Sequence, residues 1–104
     1  MTVTGTETIE STSPADGETI GVFPRMGAHD VDRAVDAAKE AFAHWRLVPA
    51  PKRGEILYRF ARLLEQEKDA LTELMTHEMG KVRAEAGGDV QEAIDITYYM
   101  AGEG

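Results

Sequence analysis

The chain has 104 residues, 42% hydrophobic and 29% charged, with a formal net charge of −8, which bounds it to one soluble domain with a modest core. The acidity excludes a nucleic-acid surface, which needs clustered Lys and Arg, and disfavours an anionic membrane partner. The sequence contains no cysteine, which excludes a disulfide framework and a thiolate metal site.

Residues 1–7 read as a disordered start. The first 13 residues are polar and Thr-rich, without the apolar centre of a signal peptide. No stretch approaches the roughly 18 apolar residues of a membrane span, and a cytoplasmic location is the expectation.

A β-hairpin is predicted over residues 8–23. Thr8-Ile9-Glu10-Ser11-Thr12 is rich in β-branched residues, and Glu18-Thr19-Ile20-Gly21-Val22-Phe23 returns. Between them Pro14 fixes φ and Gly17 accepts a positive φ. Pro24 ends the second strand.

Four helices are predicted after it, over about residues 28–45, 51–66, 68–79 and 82–101. In the first, Val31, Ala34, Val35, Ala38, Phe42 and Trp45 recur at helical spacing. Gly27 serves as its N-cap, and Asp30 and Asp32 sit in its positive first turn. Pro49-Ala50-Pro51 breaks the chain, and Pro51 suits the opening turn of the second helix. Ile56, Leu57, Phe60, Leu63 and Leu64 form that helix's apolar face, leaving its arginines to solvent. Leu71, Leu74 and Met75 mark the third helix, and Gly80 is its terminal glycine. Val90, Ala93, Ile94, Thr97, Tyr98 and Ala101 give the fourth an apolar side. Gly87-Gly88 interrupts it at a cost of about 1 kcal/mol per glycine, so packing must offset the pair or the helix starts later.

Few side chains suggest chemistry. His77-Glu78 opens as a zinc-binding HExxH helix does, but position 81 is Lys and the second imidazole is missing. Gly102-Glu103-Gly104 begins like a dinucleotide fingerprint but follows a helix, where a strand is needed. His29, His44 and His77 have no Ser or Cys partner in a triad arrangement and read as surface or helix-end residues. Trp45, Tyr98 and Tyr99 read as core or interface positions. Glu78 and Lys81 are spaced for a helix-end ion pair.

The order and spacing of these segments carry more than any one of them. Ser13-Pro14 with Gly17-Glu18, then Val31-Asp-Arg-Ala-Val35-Asp-Ala-Ala38, Ala41-Phe42 and Trp45, then Glu78-Met-Gly80-Lys81, Asp89-Val90 and Tyr99-Met-Ala101-Gly102, follow one another as in a known family. The run over residues 8–104 resembles the amino-terminal segment of the NAD(P)-dependent aldehyde dehydrogenase superfamily. Gly88-Asp-Val-Gln-Glu92 and the closing Ala101-Gly-Glu-Gly104 look most like the aminoadipate-semialdehyde branch.

The resemblance implies a mainly α architecture with an N-terminal hairpin. It would form the outer helical layer of an α/β, Rossmann-like cofactor domain whose sheet core is not in this chain. The chain would be an N-terminal fragment of an enzyme that oxidises an aldehyde to a carboxylic acid. In that enzyme a cysteine thiohemiacetal passes hydride to NAD or NADP, and the complete protein is a homo-oligomer. The family's catalytic and cofactor-binding residues lie in later segments, so none is assigned here, and the chain alone is expected neither to bind the cofactor nor to catalyse. Its partner would be the remainder of the polypeptide. One site is carried over by the resemblance: a structural monovalent cation held by Asp89 with the carbonyls of Ser11 and Thr12, an oxygen set that suits a hard ion. A reading of another class is a self-standing helical module that binds a partner through its apolar faces.

Overall fold

The computed structural model describes residues 7–104. The expectation for residues 1–7 falls outside them, except at Glu7. That residue is engaged: the Arg25 N–H donates to its carbonyl at 2.8 Å.

Strands β1 (Thr8–Thr12) and β2 (Thr19–Pro24) pair antiparallel. Thr8 faces Pro24 and Ser11 faces Gly21, and the register shifts between Ser11 and Thr12, which faces Thr19. The turn is built as its composition suggests. The Gly17 φ is 77°, the Ser13 N–H donates to the Glu18 carbonyl at 2.9 Å, and the Glu18 N–H donates to Asp16 Oδ1 at 2.9 Å. Strand β2 runs one residue past the predicted end because Pro24 sits at the tip of a two-stranded edge, where a missing N–H is tolerated.

The helices are α1 (Ala28–Trp45), α2 (Ala50–Gln66), α3 (Lys68–Met79) and α4 (Arg83–Glu103). Helix α3 stops at Gly80, whose φ of 76° no β-carbon-bearing residue adopts cheaply. Helix α4 runs unbroken through Gly87 and Gly88. Burial of Ala86, Val90, Ile94 and Ala101 along one side of it offsets the two glycines. Neither glycine is required by a close contact: a Cβ at 88 would meet nothing within 4 Å, and one at 87 would meet the Thr72 side chain at 3.8 Å. The glycine that packing does require is Gly54 in α2, where a Cβ would lie 2.7 Å from the Ala101 carbonyl oxygen of α4.

The fully buried seam is small. Helices α2 and α4 pack together, with Gly54 and Ala61 buried on the first and Ala86, Val90, Ile94 and Ala101 on the second, and α3 packs on α4 with Thr72 buried. The molecule measures 48 × 37 × 15 Å with a radius of gyration of 17.4 Å, against about 13 Å for a compact domain of about 100 residues. It is a slab whose thinnest dimension is little more than one helix diameter. Helix α1 stands apart from the α2–α3–α4 packing. Its predicted apolar stripe exists but faces outward, with Val31 52%, Val35 47% and Phe42 60% exposed.

Candidate functional site

The end of β1, the end of α3 and the start of α4 converge. Ser11 Oγ donates to Glu78 Oε1 at 2.9 Å, tying the hairpin to the last turn of α3. The Pro14 ring lies against Gly80, with Cγ only 3.0 Å from where a Cβ would stand. Beyond Gly80, Lys81 reaches forward and Nζ donates to Asp89 Oδ2 in α4. The other end of α3 is tied down as well, by Lys68 Nζ donating to Gln91 Oε1 at 2.8 Å.

This arrangement corrects one expectation. Glu78 and Lys81 do not pair, because the left-handed turn at Gly80 takes residue 81 off the helical spacing that would align them. Glu78 takes the Ser11 hydroxyl instead, and Lys81 takes Asp89. The Lys81 ammonium is held above its usual 10.5, first by the hydrogen bond it donates to Asp89; desolvation opposes this, and the charges of Asp89, Glu85 and Glu92 add to it. Glu78 and Asp89 line an open, mostly apolar groove of about 340 Å³ together with Leu64, Leu71, Met75 and Val90.

Of the residues that the resemblance assigns to a monovalent cation, Asp89 is thus already bonded to an ammonium. Ser11 and Thr12 lie at the register shift of the hairpin. Among the described residues, no three His, Asp or Glu side chains are grouped to hold a metal. His77 lines a separate shallow cavity with Ser13, Glu73, Thr76 and Arg83.

The described residues do not form a dinucleotide cradle. Gly102-Glu103-Gly104 lies at the C-terminal end of α4, where the Gly104 N–H donates back to the Met100 carbonyl at 2.9 Å. A helix presents partial negative charge at that end, and a pyrophosphate needs the opposite one. The two described strands pair antiparallel as a hairpin, so they form no parallel β–α–β unit.

Two polar links go beyond the sequence reading. Tyr98 OH donates to Glu65 Oε2 at 2.8 Å, bridging α4 to α2, and its ring lies 6.1 Å from that of Tyr58 at 49°. That bond, then desolvation, raises the Tyr98 phenol above its usual 10.0. Asp30, read as a first-turn acid, is 1% exposed. It accepts the Gly27 N–H at 3.1 Å and pairs with Arg33, so its buried charge is compensated.

Residues 2–104 match the profile of the aldehyde dehydrogenase family. The malonate-semialdehyde dehydrogenase 1 of Geobacillus kaustophilus is 46% identical over 98 residues, which are 94% of this chain and 20% of that protein. The crystal structure of succinate-semialdehyde dehydrogenase from Burkholderia pseudomallei superposes with a TM-score of 0.94 at 37% identity, covering 99% of this chain and 21% of that one. An NADP-dependent glyceraldehyde-3-phosphate dehydrogenase from Bacillus halodurans, solved with NADP, superposes with a TM-score of 0.89 at 35% identity, covering 94% and 21%. The chain spans about a fifth of the length of these relatives.

Proposed function

The chain belongs to the aldehyde dehydrogenase family, and on that premise we propose that it is the amino-terminal segment of an enzyme oxidising an aldehyde to a carboxylic acid with NAD or NADP as hydride acceptor. The observation that carries this reading is the agreement of nearly the whole chain with one fifth of semialdehyde dehydrogenases, in sequence and in backbone alike. Relatives named for malonate and succinate semialdehydes support an aldehyde that also bears a carboxylate. In this reading the segment contributes architecture. Its hairpin and α2–α4 seam hold a helical layer, and the exposed apolar faces of that layer cover the cofactor domain built by the remaining residues. Nucleophile, general base and cofactor cradle come from those residues, since this chain has no cysteine and its described residues form no phosphate-binding turn. Assembly into a homo-oligomer and a cytoplasmic location belong to the same proposal. Among the described residues, no helix is long and apolar enough to cross a membrane.

The test is an assay of reduced nicotinamide formation with short semialdehydes and either cofactor. The 104-residue chain is expected to show none, and a polypeptide in which it is followed by a family catalytic portion is expected to turn over. Oxidation by the 104-residue chain that survives repurification, or an inactive but folded complete polypeptide, would overturn the reading.

A further inference from the structure

We propose that the outer face of α2 receives α1 of a second copy of this chain, so that two copies exchange their first helices reciprocally. Helix α1 has no substantial packing on another element among the described residues, and Val31, Val35, Phe42 and Trp45 are exposed along it. Helix α2 carries a second apolar row, Ile56, Phe60 and Leu63, all exposed and on the side away from the buried Gly54 and Ala61. The two rows share one period. Val31, Val35, Ala38, Phe42 and Trp45 alternate steps of four and three residues, as do Ile56, Phe60 and Leu63, the spacing by which two helices interlock side by side.

Charge matches the two rows. Helix α1 has four acidic residues against two basic, and α2 four basic against two acidic, whereas α3 and α4 are both acidic in balance. Asp32 and Asp36 stand beside the first row, and Arg59 and Arg62 beside the second. Among the described residues none of these four is in an ion pair, so their charges are open to a partner of opposite sign. The link between the helices makes that partner a second copy. The Leu47 N–H donates to the His44 carbonyl at 3.0 Å and the Val48 N–H to that of Trp45 at 3.1 Å. Arg53 Nη1 then donates to the Val48 carbonyl at 2.6 Å. This ordered link holds α1 off the α2 of its own chain. A reciprocal exchange closes on a two-fold axis and covers the same pair of faces in both copies.

The inference goes beyond the dehydrogenase reading, in which these faces meet the remaining polypeptide. Its readout is association and not turnover, so either can fail alone. The 104-residue chain is followed by sedimentation equilibrium, with circular dichroism to check folding. The wild type is expected to be a dimer that weakens as ionic strength rises. Asp32→Lys with Asp36→Lys, and separately Arg59→Glu with Arg62→Glu, should each weaken self-association roughly tenfold or more, because each sets like charges on both contacts. An equimolar mixture of the two should recover the dimer, since every exchanged helix then meets an opposite charge. Arg25→Glu with Arg83→Glu, which makes the second change in net charge away from both rows, should leave the dimer intact. If α1 paired with α1, the Arg59, Arg62 variant would associate as the wild type does. That result would overturn the proposal, as would a mixture that stays monomeric, an equal loss in the Arg25, Arg83 variant, or a wild type monomeric at high concentration. Should a reversed variant fail to fold, a nitroxide on Ala38→Cys of one copy decides. It is expected to broaden the amide signals of Ile56 to Leu63 in an isotope-labelled second copy; unbroadened signals refute the exchange.

Discussion

Gly54→Ala and Gly88→Ala are the same chemical change in two helix interiors, and the structure requires them to act in opposite directions. At 88 a Cβ meets nothing within 4 Å. The substitution then only removes the entropic cost of a helical glycine, and stabilises by about 0.5–1 kcal/mol. At 54 the new Cβ would stand 2.7 Å from the Ala101 oxygen and 3.7 Å from its carbonyl carbon. Both are backbone atoms of α4, so no rotamer change relieves the contact and the two helices have to part. Overpacking of this kind costs about 1–3 kcal/mol, and the propensity gain of about 1 kcal/mol offsets only part of it. The net expectation is a loss of up to about 2 kcal/mol on the seam that holds Ala61, Ile94 and Ala101. For a domain of this size that lowers the melting temperature by up to about 15 °C, while Gly88→Ala raises it by about 2–8 °C. Circular dichroism at a helix band, during heating and during urea titration, measures both. A Gly54→Ala variant that melts at or above the wild type, or two variants that shift together, would refute the claim that helix contact at 54, and not propensity, decides.

Alkaline pH should weaken the fold through two named groups. Lys81 and Tyr98 have folded pKa values raised above 10.5 and 10.0, so their contribution is fully present below about pH 10 and is lost as pH rises through the folded values. The urea midpoint should therefore fall above about pH 10, and less steeply in a Tyr98→Phe, Lys81→Met double variant; equal slopes would contradict the assignment. Helix α1 should drive self-association of the isolated chain, because Val31, Val35 and Phe42 are about half exposed or more on one face and covering about 300 Å² of apolar surface is worth about 7 kcal/mol. Val35→Glu with Phe42→Glu should shift sedimentation toward monomer and reduce hydrophobic-dye binding, whereas a wild type that is already monomeric and dye-negative at high concentration would dismiss the idea.

The elements were legible in the sequence because their signals are local. Pro14 and Gly17 make a turn whatever surrounds them, and an apolar residue every third or fourth position makes a helix. What was illegible depends on residues far apart in the chain. The doublet Gly87-Gly88 draws attention as an interruption, yet the glycine with a steric purpose is Gly54, whose reason lies at Ala101. Glu78 and Lys81 look like partners by spacing, but Gly80 redirects them to Ser11 and Asp89. Periodicity also identifies an apolar face without saying what meets it. The stripes of α1 and α4 look alike in sequence; Ile94 is 1% exposed and Phe42 60%.

The distribution of residue sizes extends that argument. A free-standing helical bundle places its largest apolar residues in the centre and its small ones where helices cross. In this slab the buried seam is mostly small, with Gly54, Ala61, Ala86 and Ala101 letting α2 and α4 approach until their backbones nearly touch. Phe60, Leu63, Leu74, Ile96 and Tyr99, each 49–60% exposed, lie outside it. Small residues thus serve contacts within the layer, and large ones are left for contacts across it. Large apolar side chains left exposed in this number suit an interface. A helical layer that covers a larger domain accounts for both halves of the distribution; a bundle folded around its own centre accounts for neither.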